Sequence, residues 1–157
     1  MIICGTGHRP NKLGGYGVHI QTRLVALAEA ALAHYQPEHV ISGMALGWDQ
    51  ALAQAAVNLG IPFVAAIPFV GQESRWPDES QQHYHSLLKE AHSTITLDQG
   101  PYSARLMQER NEYMVNKATH VLALWSGTHG GTGNCVAYAQ SVEKPIINLW
   151  QSWIKHK

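Results

Sequence analysis

The sequence carries no excess charge of either sign: 11 Lys and Arg face 11 Asp and Glu, and only 14% of residues are charged. That balance removes the basic stripe through which proteins hold nucleic acid nonspecifically, although ten histidines can add positive charge below neutral pH. The two cysteines, Cys4 and Cys135, form no CxxC or CxxxC pair, and no charged segment leads into an apolar leader at the N-terminus. A reducing, cytoplasmic setting is therefore expected. No apolar run approaches the ~20 residues needed to cross a bilayer, so a soluble protein with no membrane partner is expected. HExxH is absent, and His83 and His85 stand i, i+2 on a predicted helix, facing different ways; neither a metal nor a cofactor is expected. Repeats and low-complexity segments are also missing. The 157 residues suit one domain, 1–157, whose folding buries roughly 70% of the chain's surface, with 151–157 read as a short C-terminal tail.

What the sequence has is an alternation. Met1 to Cys4, Val40 to Ile41, Pro62 to Ile67, Ser93 to Leu97, Val121 to Trp125 and Pro145 to Leu149 are short apolar runs that predict strands. Between them Ile20, Leu24, Leu27 and Ala31 follow a helical stripe, as do Leu52, Ala55, Ala56 and Leu59 before Gly60. Further helices are predicted over about Ser103 to Ala118 and from near Thr132. Strands alternating with amphipathic helices specify a single doubly wound, Rossmann-like α/β domain, its mainly parallel sheet covered by helices on both faces.

Ligands of such sheets sit beyond the carboxyl ends of the strands, so the segments after each strand carry the functional reading. "SGTHGGTGN" places Gly127, Gly130, Gly131 and Gly133 before a helix. Glycines let backbone N–H groups approach an anion, and Thr132 can cap the helix so that its dipole points at the same place. One or two glycines would suffice for a turn; four predict a phosphate or pyrophosphate site. In "GTGHRP" a turn brings Gly5, Thr6, Gly7, His8 and Arg9 to the same edge, with Arg9 suited to phosphate or else to pairing with a carboxylate. "SGMALGWDQALAQAA" sets Ser42 and Gly43 after a strand and Asp49 at a helix entrance. Asp49 either accepts from ribose hydroxyls or simply complements the positive helix end, and Trp48 either stacks on a base or packs. Met107, Arg110 and Met114 share one helix face, so Arg110 points towards the sheet and needs an anion, whether a ligand or a structural salt-bridge partner. Gln72 and Trp76 lie in a loop after the third strand, where they can close over a ligand. Tyr84, Trp150 and Trp153 read as packing or interface residues.

Together "GTGHRP", "SGMALGWDQALAQAA", "IPF…GQ…W", "RNEYMV" and "GTHGGTGNCVAYA" resemble the YpsA-like branch of the SLOG superfamily of Rossmann-like proteins, from Met1 to about Leu149. The segment "MQERNEYMVNKATHVLALWSGTHGGT" is similar to the MxxRKxxM and PGGxGTxxE segments of LOG-type phosphoribohydrolases. That likeness implies that Arg110 lies near the ribose phosphate and that Gly131 and Thr132 bind phosphate. The departures are Asn111 in place of lysine, a loop longer by one residue, and Cys135 where the catalytic glutamate would stand. "SGMALGWDQALA" resembles the SGxAxGxDxxAH stretch of the DprA family of DNA-processing proteins, with Gln54 in place of the terminal histidine. The expected function is recognition of a phosphorylated nucleoside or an ADP-ribose-like derivative, for sensing or sequestration. The alternative is N-glycoside hydrolysis of nucleoside 5'-monophosphates using Arg110 and Asp49, or Glu109 from elsewhere. A single-stranded DNA-binding module comes third, since the neutral chain makes nucleic acid a poor partner. LOG-type relatives imply a homodimer, for which the C-terminal tryptophans would serve as an interface.

Overall fold

Six parallel strands run in the order β4-β3-β2-β1-β5-β6 in the computed structural model, which describes residues 1–155. The strands are β1 (Ile2–Gly7), β2 (His39–Ser42), β3 (Phe63–Ile67), β4 (Ser93–Thr96), β5 (His120–Leu124) and β6 (Ile146–Asn148). The helices are α1 (Val18–Tyr35), α2 (Trp48–Asn58), α3 (Asp78–Lys89), α4 (Ala104–Lys117), α5 (Gly131–Ser141) and α6 (Trp150–Lys155). The chain is the doubly wound, Rossmann-like sheet that the alternation predicts.

Two cores flank the sheet. Leu24, Ala28 and Leu32 of α1 and Leu52, Ala55 and Ala56 of α2 pack with Phe63 and Leu122 on one side. On the other, Met114 and Val115 of α4 and Cys135 and Ala139 of α5 pack with Cys4, Ile41 and Val121. α2 is buried on nearly every side from Trp48 to Ala56, as a helix wedged between α1 and the sheet must be. Each helix ends where its sequence ceases to suit one: α1 at Gln36, left-handed at φ 49° and followed by Pro37, and α2 just before Gly60 at φ 71°. Ser103 caps α4 by accepting from the Leu106 amide at 3.1 Å.

Three local readings are corrected. β1 continues through Gly7, pairing Gly5 with Leu122 and Gly7 with Leu124, so "GTG" is strand and not turn. The residue capping α5 is Gly130, with no side-chain cap, and Thr132 lies inside the first turn. Residues 150–155 form α6 where a tail was expected; His156 and Lys157 lie outside the described residues. Within α6, Trp153 is 4% exposed and has the Arg23 guanidinium 3.9 Å from its ring centroid, while Trp150 meets the His8 ring edge-on at 5.7 Å. Trp153 thus packs against its own chain, leaving no exposed tryptophan pair for a partner.

Because β4 lies at one edge, α4 must carry the chain back across β3, β2 and β1 to place β5 beside β1. The strand order reverses between β1 and β5. A crevice opens there, at their carboxyl ends, where open parallel sheets bind ligands.

Candidate functional site at the strand-order switch

A cleft of about 300 Å³ occupies that crevice, between the end of β1, the entrance of α2, one face of α4 and the start of α5. Gly5, Thr6 and Gly7 line it from β1, His8 and Arg9 from the segment just after that strand, Asp49 from α2, Arg110 from α4, and Gly130, Gly131 and Thr132 from the start of α5. Three expected residues stand elsewhere. Ser42 is fully buried; its hydroxyl donates to the Asp49 carbonyl at 2.7 Å and accepts from the Met44 amide at 3.1 Å, so it shapes the β2–α2 turn. Gly43 lies behind Arg110: a Cβ there would sit 2.5 Å from the guanidinium. Gly127, at φ 92°, sets the loop's course outside the cleft wall.

The α5 end is built to leave amides free. Gly130 adopts φ 143°, a conformation that disfavours any side chain, and supplies no cap. The first intrahelical bond is donated by the Asn134 amide to the Gly130 carbonyl at 2.9 Å. The N–H groups of Gly131, Thr132 and Gly133 precede it and have no helical acceptor, as at the start of any helix. Trp125 braces the loop by donating its indole N–H to the Thr128 carbonyl at 2.8 Å. Gly133 is required there because a Cβ would meet that carbonyl at 2.8 Å.

Arg110 is 4% exposed and holds its guanidinium by donating to the carbonyls of Gly43 at 2.7 Å and Ala66 at 3.3 Å, and to Asn111 Oδ1 at 3.2 Å. No carboxylate pairs with it among the described residues. The salt-bridge alternative therefore falls, and a buried cation on the cleft wall lacks a counter-ion in contact. Burial lowers its pKa while the nearby Asp49 opposes the change; a guanidinium stays charged regardless.

Asp49 is 6% exposed. Its Oδ2 accepts from the Ala45 amide at 3.3 Å, whereas its Oδ1 is buried without a hydrogen-bond partner. Burial raises its pKa from 3.8 to about 6, against the pull of Arg110. Asp49 thus lies in the cleft wall with one carboxyl oxygen buried and unpartnered. Glu109, by contrast, is exposed and paired with Arg105 at 2.6 Å, away from the cleft.

His8 is held by Ser126: its Nε2 lies 2.9 Å from the Ser126 amide and 2.8 Å from the Ser126 hydroxyl. Burial, then Lys12, lowers its pKa, keeping the imidazole neutral. Cys135 is fully buried, and burial pushes its thiol up to about 11 despite a hydrogen bond with Thr6. It is thus a protonated core residue at neutral pH and not a nucleophile. Trp48 is also in the core, donating its indole N–H to the Leu122 carbonyl at 3.3 Å, and is unavailable to a base.

Lys12, Met107, Asn111, Thr128 and His129 join the lining without having been singled out as ligand residues. Lys12 lies in the short 3-10 turn after Arg9, and its ammonium donates to Thr128 at 3.4 Å, bridging the two loops. Thr128 and His129 stood inside the glycine loop, where the glycines drew the attention. Met107 shares the helix face already marked by Arg110.

These features define a doubly wound α/β protein with a polar cleft at its strand-order switch. Residues 3–145 match the YpsA family (YspA SLOG family), and the chain belongs to it. It is similar to the SPbeta prophage-derived protein YoqJ of Bacillus subtilis (strain 168), 28% identical over 137 residues that cover 77% of this chain and 80% of that one. The DNA processing protein A of Streptococcus pneumoniae shares the fold with a TM-score of 0.68 at 15% identity, over 93% of this chain; this chain spans only 49% of that protein. The molybdenum cofactor carrier protein of Chlamydomonas reinhardtii shares it with a TM-score of 0.61 at 17% identity, over 98% of this chain and 80% of that one. No helix among the described residues is long and apolar enough to cross a membrane.

Proposed function

We propose that the protein binds a phosphorylated nucleoside or an ADP-ribose-like derivative in this cleft and recognises it without cleaving it. The observation that carries the reading is the conjunction of three groups around one cleft. They are the uncapped N-terminus of α5, the Arg110 guanidinium without a carboxylate, and the Asp49 Oδ1 without a donor. Amides and guanidinium match a phosphate, and a carboxylate oxygen matches a ribose hydroxyl. The molybdenum cofactor carrier shares the fold, and carriage of a small molecule by that protein, as its name records, supports the reading. Mononucleotides, dinucleotides or ADP-ribose species are expected to raise the melting temperature by binding linkage. A panel giving neither a thermal shift nor heat by calorimetry removes the reading.

Hydrolysis of an N-glycosidic bond keeps one observation in its favour: a carboxyl with a pKa near neutrality, about 6, lies on the cleft wall. Incubation with nucleoside monophosphates and chromatography separates the two readings. Free base in amounts proportional to enzyme would establish cleavage, and none at high protein concentration leaves recognition.

A further inference from the structure

A second pocket, of about 610 Å³, lies at the carboxyl ends of β3 and β4, and Arg9 and Met107 line both it and the switch-point cleft. The two pockets adjoin across these side chains. At about 300 Å³ the cleft alone is at the small end of ligand sites, so a nucleotide anchored there by phosphate and ribose needs the adjoining space for its base.

The second pocket has the chemistry a base requires. Tyr102 stands on its rim at 66% exposure, contacting Phe69 only edge-on, with ring centroids 6.0 Å apart. An aromatic side chain this exposed suits stacking on a flat ring. Gln72 supplies a fixed polar group. Its Nε2 donates to the Gly43 carbonyl at 3.1 Å and to the Tyr84 hydroxyl at 3.2 Å. A carbonyl only accepts, so the amide cannot be flipped. Both amide hydrogens are used, and Oε1 remains an acceptor with no protein donor among the described residues.

We infer that this second pocket seats an amino-bearing nucleobase, with the ring against Tyr102 and the exocyclic amine donating to Gln72 Oε1, while Arg9 lies between base and phosphate. The inference rests on the nucleotide reading above and adds a specificity: an exocyclic amine is accepted, whereas an oxo group at the same position meets the Gln72 oxygen as acceptor against acceptor. The same Gln72 bonds tie the base pocket to Arg110 through the shared Gly43 carbonyl.

Calorimetry with ribose 5-phosphate, AMP and IMP on the wild-type chain and on Tyr102→Ala tests it. AMP is expected to bind about tenfold more tightly than ribose 5-phosphate and more tightly than IMP. Tyr102→Ala, a change at an exposed side chain, is expected to cost AMP about tenfold and ribose 5-phosphate nothing. Equal binding of ribose 5-phosphate and AMP, equal binding of AMP and IMP, or an equal loss for both ligands in Tyr102→Ala overturns the base site while leaving the phosphate site intact. Failure of all three compounds to bind overturns both.

Discussion

A methyl group added to Gly7 at the end of β1 would lie 2.5 Å from Trp48 Cβ, whereas one added to Gly131 at the start of α5 meets nothing within 4 Å. In sequence the two regions look alike, each a cluster of glycine and threonine after an apolar run. In the structure their glycines answer opposite demands. Gly5 and Gly7 belong to a central strand and clear space for Leu52 and Trp48 of α2, which draws that helix and Asp49 up to the cleft. Gly130 and Gly131 border open space at the cleft. A glycine cluster alone therefore does not mark a ligand site; the side on which its missing Cβ would project separates packing from open space.

The largest effect is expected on the packed side. Gly7→Ala should destabilise the protein by about 3 kcal/mol, because Trp48 is fully buried and bound through Nε1 and cannot withdraw. Gly5→Ala should cost less, since its nearest contact is the flexible end of Leu52. Urea unfolding measures both, and a Gly7→Ala variant as stable as the wild type would show that the close fit of β1 and α2 is not needed.

Asp49, carried by the same α2, connects packing to the site. Burial raises its pKa from 3.8 to about 6, so the folded protein holds the proton more tightly than the unfolded chain does. The stability this contributes is complete below pH ~4 and is lost as pH rises through the folded value. Asp49→Asn abolishes that loss. At pH 8 the variant should be more stable than the wild type by on the order of 2–3 kcal/mol, with the two converging near pH ~4, and nucleotide affinity should fall with the lost acceptor. Parallel melting curves from pH 4 to 8 would contradict the buried, unpaired carboxylate.

Arg110→Met keeps the volume and removes the charge. The Gly43 carbonyl retains its bond from Gln72, so folding should survive, while affinity for a phosphorylated ligand should fall on the order of thirtyfold, about 2 kcal/mol. Unchanged affinity by calorimetry would assign the guanidinium to structure alone.

Much of the fold was legible because periodicity reports directly on burial: six strands, the α4 range and the doubly wound arrangement followed from apolar spacing. Arg110 was legible for the same reason, as a charge on an apolar face. What escaped the sequence depended on three-dimensional proximity. That β1 continues through "GTG" follows from its pairing with β5, which no local signal encodes, and α6 is short enough that its burial against α1, not its propensity, defines it. Ser42, expected at the ligand edge after its strand, turns inward because the first turn of α2 offers a carbonyl. Cys135 follows the α5 glycines at a helical spacing that places it against β1, so burial, and not its position after a phosphate loop, sets its chemistry.

The sharpest test of the contrast has the smallest effect. Gly131→Ala places a methyl group in open space at a helical position where alanine is the better helix former, so the unliganded protein should be unchanged or more stable by up to about 1 kcal/mol. The same methyl projects towards the cleft beside the free amides of Thr132 and Gly133, where the anion is expected. Nucleotide affinity should therefore fall about tenfold, close to 1.4 kcal/mol, giving a variant that folds better and binds worse. Gly7→Ala should do the reverse in kind, losing stability through a contact that no ligand touches. A Gly131→Ala protein that binds nucleotides as the wild type does would mean that the anion does not approach the α5 terminus, and the space left by these glycines would then belong to loop motion and not to recognition.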